Sequence, residues 1–222
     1  LFANTTLSTP ATSSVAGWKD KSGNNNHAVQ STSANRPSTT SSGIQFDGSN
    51  DGFSLTNDIS EANLNIFFVL QGHGFLFANN GTERTLFYNA GSGRKLWARI
   101  NNNEFFGEQA VSGYSDSTTQ IHEFSLNSGT FTVRVNGVEA LRQTSVSGNM
   151  KLDRICLTWD SSTGTPTWTG KLMEIVAIDT NSERIGIEGY LAHKWGLSGS
   201  LPSNHSHKTV SLTRGPVVTT DA

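Results

Sequence analysis

Apolar residues in this chain recur mostly with a period of two, and turn residues interrupt the pattern at short intervals. In "KLWARI", Leu96, Ala98 and Ile100 alternate with Lys95, Trp97 and Arg99, as expected for a strand with one face on a core. In "TFTVRV", Phe131, Val133 and Val135 alternate with Thr132 and Arg134, and Asn136-Gly137 then offers two residues tolerant of positive φ. That spacing predicts a hairpin with a type I′ turn. "GIQFDGSNDGFSL" reads as two strands around a loop, with Ile44 and Phe46 on one face and Phe53 and Leu55 beyond the turn. "NIFFVLQGH" is apolar at successive positions, which predicts a central strand covered on both sides. "RTLFYNA", "RICLTWD" and "KLMEIVAID" read as further strands, the last two joined by the polar loop "SSTGTPTWTG". Near the start, "GWKDKSGNNNHAVQ" reads as an anchor at Trp18, a turn-rich loop and a short strand, preceded by a loosely packed arm over 1–16.

One segment departs from this period. In "IEGYLAHKWGL", Ile187, Tyr190, Leu191 and Trp195 fall at i, i+3, i+4 and i+8, one face of a helix. Thr180 and Glu183 have the spacing of a capping box. Gly196 stands where a left-handed residue ends a helix, with Leu197 as its apolar contact and Pro202 beyond. Gly189 predicts close approach to a sheet, and Lys194 is expected to reach outward past the apolar face. Trp18 and Trp195 are assigned to the core. No helix alternates with the strands, so the pattern predicts an antiparallel β-sandwich with one short C-terminal helix.

Composition agrees. A chain of 222 residues suits one all-β domain, spanning 1–222 with a core over about 15–208. Only 34% of residues are hydrophobic and 15% charged, and 22 glycines serve a fold with many turns. The net charge is −2 with no basic run, so nucleic acid is not an expected partner. The longest apolar run, "IFFVL", is far too short to cross a membrane as a helix. The chain opens "LFANTT" without an initiator Met and is read as a piece of a longer or processed polypeptide. Cys156, the only cysteine, is read as a small buried hydrophobe.

Three segments together, "VAGWKDKSGNNNHAVQ", "GIQFDGSNDGFSL" and "SERIGIEGYLAHKWGL", resemble the laminin-G-like jelly-roll domains of the concanavalin A-like lectin/glucanase superfamily. The resemblance is to the bacterial and phage branch, whose domains end in a similar "EGYLAHKWGL" helix and a trailing "LP". It covers Val15 to Lys208. It implies two antiparallel sheets, often with a structural calcium ion, and glycan binding or adhesion within a larger secreted, cell-surface or virion protein. Because such a fold also hosts enzymes and inert spacers, the site has to be argued separately.

Glycoside hydrolysis needs two carboxylates across a bond, and the superfamily's closely spaced Glu/Asp cluster is missing. Glu174 stands alone in "KLMEIVAID", so it is read as a hydrogen-bonded sheet carboxylate, and catalysis is not expected. "WDSSTGTPTW" lacks the residue order of a sialidase Asp-box. For calcium, Asp47, Asn50 and Asp51 in "FDGSNDG" supply oxygen ligands, with Asp20 and amides in "KDKSGNNN"; the alternative is that these residues make Asx-turns. His205 and His207 are read as solvated tail residues.

A sugar site needs exposed aromatics ringed by hydrogen-bonding groups. Trp97 and Arg99 on their strand's polar parity, Tyr114 and Asp116 in a loop, and Trp168 at the end of "SSTGTPTW" are the candidates; for each aromatic the alternative is core or rim packing. The expected function is non-catalytic carbohydrate binding or adhesion on an extracellular or virion surface, such as a phage fibre or tail. Its partners would be glycans or cell-surface polysaccharide, with self-association or other subunits of an assembly. The competing expectation is a structural or decoration domain with no sugar ligand.

Overall fold

The computed structural model of the chain describes residues 2–3, 14–78, 86–88, 95–100, 103–157 and 168–210. Among them are β1 (Phe2–Ala3), β2 (Gly17–Trp18), β3 (Ala28–Val29), β4 (Ser38–Thr40), β5 (Gly43–Asp47), β6 (Phe53–Glu61), β7 (Leu64–Ala78) and β8 (Leu86–Tyr88). They are followed by β9 (Lys95–Ile100), β10 (Asn103–Ala110), β11 (Gln120–Asn127), β12 (Thr130–Val135), β13 (Val138–Gln143), β14 (Met150–Ile155), β15 (Trp168–Ile178) and the helix α1 (Arg184–Lys194). The strands pair antiparallel throughout and branch at β7.

The first part of β7 lies between β11 and β15; β12 and β13 extend one side, β5 and β4 the other, and β1 pairs with the distal half of β15. The last residues of β7 pair instead with β8 and β14, in the order β10-β9-β8-β7-β14-β6-β3-β2. Both branches feed one core. Phe106 of β10 meets Phe131 of β12 with ring centroids 6.1 Å apart, and Phe46 of β5 meets Phe53 of β6 at 5.9 Å. These contacts join the two layers of a sandwich, as the alternation predicts.

Where β7 changes layers, Gly72 stands opposite Gly170 of β15. A Cβ on Gly72 would lie 2.1 Å from the Thr169 carbonyl oxygen, and one on Gly170 would lie 2.1 Å from that of Gln71. Both glycines also have positive φ, so no other residue fits the crossing.

"IFFVL" is apolar on both faces because two cores flank it. Ile66, Phe68 and Leu70 point into the sandwich; Phe67 and Val69 face outward and are roofed by Ile187, Leu191 and Ala192 of α1 together with Leu201. Burying each such aliphatic or aromatic side chain is worth roughly 1.5–3 kcal/mol. The helix therefore closes an outer face of the first layer.

Its C-terminal end is as the sequence predicts. Gly196 has φ +70°, and the Leu197 N–H reaches the Ala192 carbonyl at 2.7 Å in a Schellman arrangement. Its N-terminal end is not. Helical residues begin at Arg184, no side chain caps them, and the Thr180 hydroxyl accepts from Ser182 N–H, so the capping box does not form.

Gly189 is needed for a different neighbour from the one expected, since a Cβ there would lie 2.4 Å from the Cβ of His207. The segment after Leu201 folds back over the helix, and His193 Nε2 meets the His207 carbonyl at 2.7 Å. The reading of His205 and His207 as solvated is thus corrected. Trp18 is buried as expected, whereas Trp195 is only half-buried. The N-terminal arm is corrected where it is described, because β1 pairs with β15 and Val15 is in the core. Cys156 is fully buried.

Candidate ligand-binding face

In β9 the parity predicted from sequence holds: Leu96, Ala98 and Ile100 are buried, while Lys95, Trp97 and Arg99 are half-buried on the opposite face. The guanidinium of Arg99 lies 4.8 Å from the centroid of the Trp97 ring, a cation–π contact. Lys95 Nζ reaches Glu108 at 3.2 Å.

Register extends this row. Phe75 of β7 is paired with Phe87 of β8, and Phe87 with Trp97 of β9. Directly paired residues project from the same face of a sheet. Phe75, half-buried, therefore shares the outer face of the second layer with Trp97, two strands or about 10 Å away. The sequence carried only a weak hint of Phe75: in "QGHGFLF" the glycines occupy one parity and Gln71, His73 and Phe75 the other.

Two proposed sugar-stacking aromatics do not lie on this face. Trp168 is 0% exposed and sits in the sandwich core opposite Gly74. Tyr114 is also buried; its hydroxyl donates to the Gly72 carbonyl at 2.5 Å and its ring meets His122 edge-on at 5.4 Å. Neither presents a ring to solvent, which corrects their assignment as platforms. Asp116 is half-buried in the loop after β10. The loop 158–167 lies outside the described residues.

The acidic loop has local uses for its carboxylates. Asp47 Oδ1 accepts from Ser49 N–H at 2.8 Å and Asn50 N–H at 3.4 Å, while Asp51 Oδ2 accepts from Asp47 N–H at 3.1 Å. Burial, with Asp47 adding, pushes the Asp51 carboxyl up despite that bond. Asp20 is used similarly, accepting from the N–H groups of Ser22 and Asn26 and from the Ser22 hydroxyl. Burial alone would raise the Asp20 carboxyl, but these bonds outweigh it and hold it below the usual range. Among the described residues, no three His, Cys, Asp or Glu side chains converge as metal ligands. The geometry of both loops is that of Asx-turns.

Glu174 is a hydrogen-bonded sheet carboxylate. Though 0% exposed, it receives Trp195 Nε1–H at 2.6 Å, Lys194 Nζ at 2.9 Å and the Tyr190 hydroxyl at 3.3 Å. Lys194 thus turns onto the sheet instead of reaching outward. Burial would lower its ammonium pKa, but the Glu174 and Tyr190 contacts raise it on balance. The polar end of the helix face is stapled to β15 by this one carboxylate.

No protein-family model matches the chain, and no curated protein matches it in sequence. Solved structures do match in shape. The sialidase of Trypanosoma rangeli, in complex with sialic acid, aligns with TM-score 0.57 and 14% identity over 83% of this chain and 32% of that one. Domain 4 of AbnA, an extracellular GH43 arabinanase from Geobacillus stearothermophilus in complex with arabinotriose, aligns at 0.47 and 15% over 62% and 70%. The CBM40 of Ruminococcus gnavus IT-sialidase, bound to α2,3-sialyllactose, aligns at 0.45 and 10% over 62% and 90%. The chain thus spans about a third of the sialidase's length, and that likeness establishes a shared β-sandwich fold.

Proposed function

We propose that the chain is a non-catalytic carbohydrate-binding or adhesion module of a larger extracellular or virion protein, of the laminin-G-like kind that its motifs resemble. The observation that carries this reading is the outer face shared by Phe75 and Trp97, with Arg99 against the Trp97 ring. Aromatic faces stack on the apolar faces of sugar rings, and a guanidinium beside them supplies hydrogen bonds to hydroxyls or carboxylates. About 10 Å between Phe75 and Trp97 gives room for more than one sugar unit.

The test is a screen of neutral and acidic glycans, run with calcium and with a chelator. Binding at millimolar sugar or below, retained in chelator, supports the module without a metal role. Binding lost in chelator gives the Asp47–Asn50–Asp51 loop a calcium function. No binding in either condition overturns the reading in favour of a structural or decoration domain.

A further inference from the structure

The two half-buried aromatics of the outer face are spaced in one direction only. Tyr88 pairs with both Gly74 and Leu96, and Phe87 with both Phe75 and Trp97, so Phe75 and Trp97 stand level with each other across the strands. Two strand spacings, about 10 Å, separate them. The line that joins them therefore crosses β7, β8 and β9 instead of running along any of them.

That line continues past Trp97. Phe106 stands opposite Ala98 and Gln109 opposite Leu96, so β10 carries two residues, Gly107 and Glu108, where β9 carries Trp97 alone. Gly107 is exposed and has no side chain to set beside Trp97. Glu108 has φ +53°, a left-handed conformation that residues other than glycine seldom adopt. Its carboxylate lies 3.2 Å from Lys95 Nζ, two residues from Trp97 along β9. The bulge thus draws Glu108 to the flank and leaves glycine on the line.

Charges on this face are balanced in place. Lys95 is matched by Glu108, and Glu104 stands opposite Arg99 in register, while the Arg99 guanidinium lies 4.8 Å from the Trp97 ring centroid. Lys95 and Arg99 flank Trp97 on either side along the strand and can donate to hydroxyls, yet the face carries no excess charge for a polyanion to meet.

We propose, resting on the assignment of this face to sugar, that its ligand is an internal stretch of a neutral, extended β-1,4-linked polysaccharide. The chain lies across β7, β8 and β9 with alternate units on Phe75 and Trp97. In β-1,4-linked glucose, mannose or N-acetylglucosamine, both bonds that join each ring to its neighbours are equatorial. Such a chain runs straight and successive rings are turned over, so alternate rings present the same face at about two strand spacings, ~10 Å. An α-1,4-linked glucan has an axial bond at every unit and coils away from a straight line of platforms. The glycine beside Trp97 lets the chain run on past β9, so a chain end is not required.

Calorimetric titration of the native chain with β-1,4-linked tetrasaccharides of glucose, mannose and N-acetylglucosamine, each beside its disaccharide, tests this, with maltotetraose as the α-linked control. At least one β-1,4-linked tetrasaccharide should bind about tenfold more tightly than its disaccharide, with maltotetraose no better than a disaccharide. Phe75→Ala should bring the tetrasaccharide down to the disaccharide's affinity, whereas Trp97→Ala should weaken both. The length dependence of the native chain needs no variant to be read. If tetrasaccharide and disaccharide bind alike, or maltotetraose or sialyllactose binds as tightly, and Trp97→Ala still weakens them, this ligand class is refuted while the sugar-binding face stands. If no β-1,4-linked tetrasaccharide binds at millimolar concentration, the class is refuted, and the carbohydrate-binding reading falls with it only when the wider glycan screen is also empty.

Discussion

At the residue scale, the heaviest burden falls on buried polar groups that the fold satisfies one by one. Glu174 is the clearest, because Tyr190, Lys194 and Trp195 all donate to it. Glu174→Ala strands an ammonium and two further donors against an apolar sheet. A loss of about 3–5 kcal/mol in urea unfolding is expected. Trp195→Phe keeps most of the ring but removes one donor, so a loss of about 1–3 kcal/mol is expected in the same measurement. A neutral outcome for both would mean that this carboxylate does not hold the helix. His122 sets the acid limb. Burial against Tyr114 and Phe124 lowers its imidazole to about 3. A lowered base destabilises the fold once pH falls below its unfolded value near 6.5, by about 3 kcal/mol at pH 4. His122→Phe should flatten that limb of the stability–pH profile, and an unchanged slope would contradict the assignment.

At the scale of elements, backbone geometry separates glycines that look alike in sequence. Gly170 lies at the crossing of β7 and β15, where a side chain meets carbonyl oxygens at 2.1 Å. Gly196 also has positive φ, +70°, but open space around it. Gly196→Ala should therefore lower stability by only about 1–2 kcal/mol, the left-handed penalty alone. Gly170→Ala adds a backbone clash and should leave little folded protein at 37 °C. Thermal melts of the two variants check the contrast, and similar melting temperatures would contradict it. The strands legible in the sequence were those with local signals, such as the β12–β13 hairpin with its Asn136-Gly137 turn and the alternating β9. β11 was harder to read, because Ile121, Glu123 and Ser125 alternate between apolar and polar on a face that α1 also buries. The helix start misled for a related reason: Thr180 and Glu183 have capping-box spacing, but the chain turns through 181–183 before Arg184.

For the whole molecule, the fold was largely written in periodicity, while the site depends on register between distant strands. In sequence Trp168 and Trp97 are both candidate platforms, one closing a polar loop and the other on its strand's polar parity. Pairing with Gly74 directs Trp168 into the core, and pairing through Phe87 aligns Trp97 with Phe75. No local turn signal fixes those registers, so neither the rejected nor the added aromatic could be identified from the chain alone. The same holds for His205, which only the return of the C-terminal segment brings to Glu188. The most direct test of the central claim is to titrate a glycan recovered from the screen into the native chain and into Trp97→Ala. The expected result is at least tenfold weaker binding with an unchanged melting temperature, about 1–3 kcal/mol for one stacking aromatic. Equal affinity in the two proteins would show that the sugar binds elsewhere and would contradict the assignment of this face.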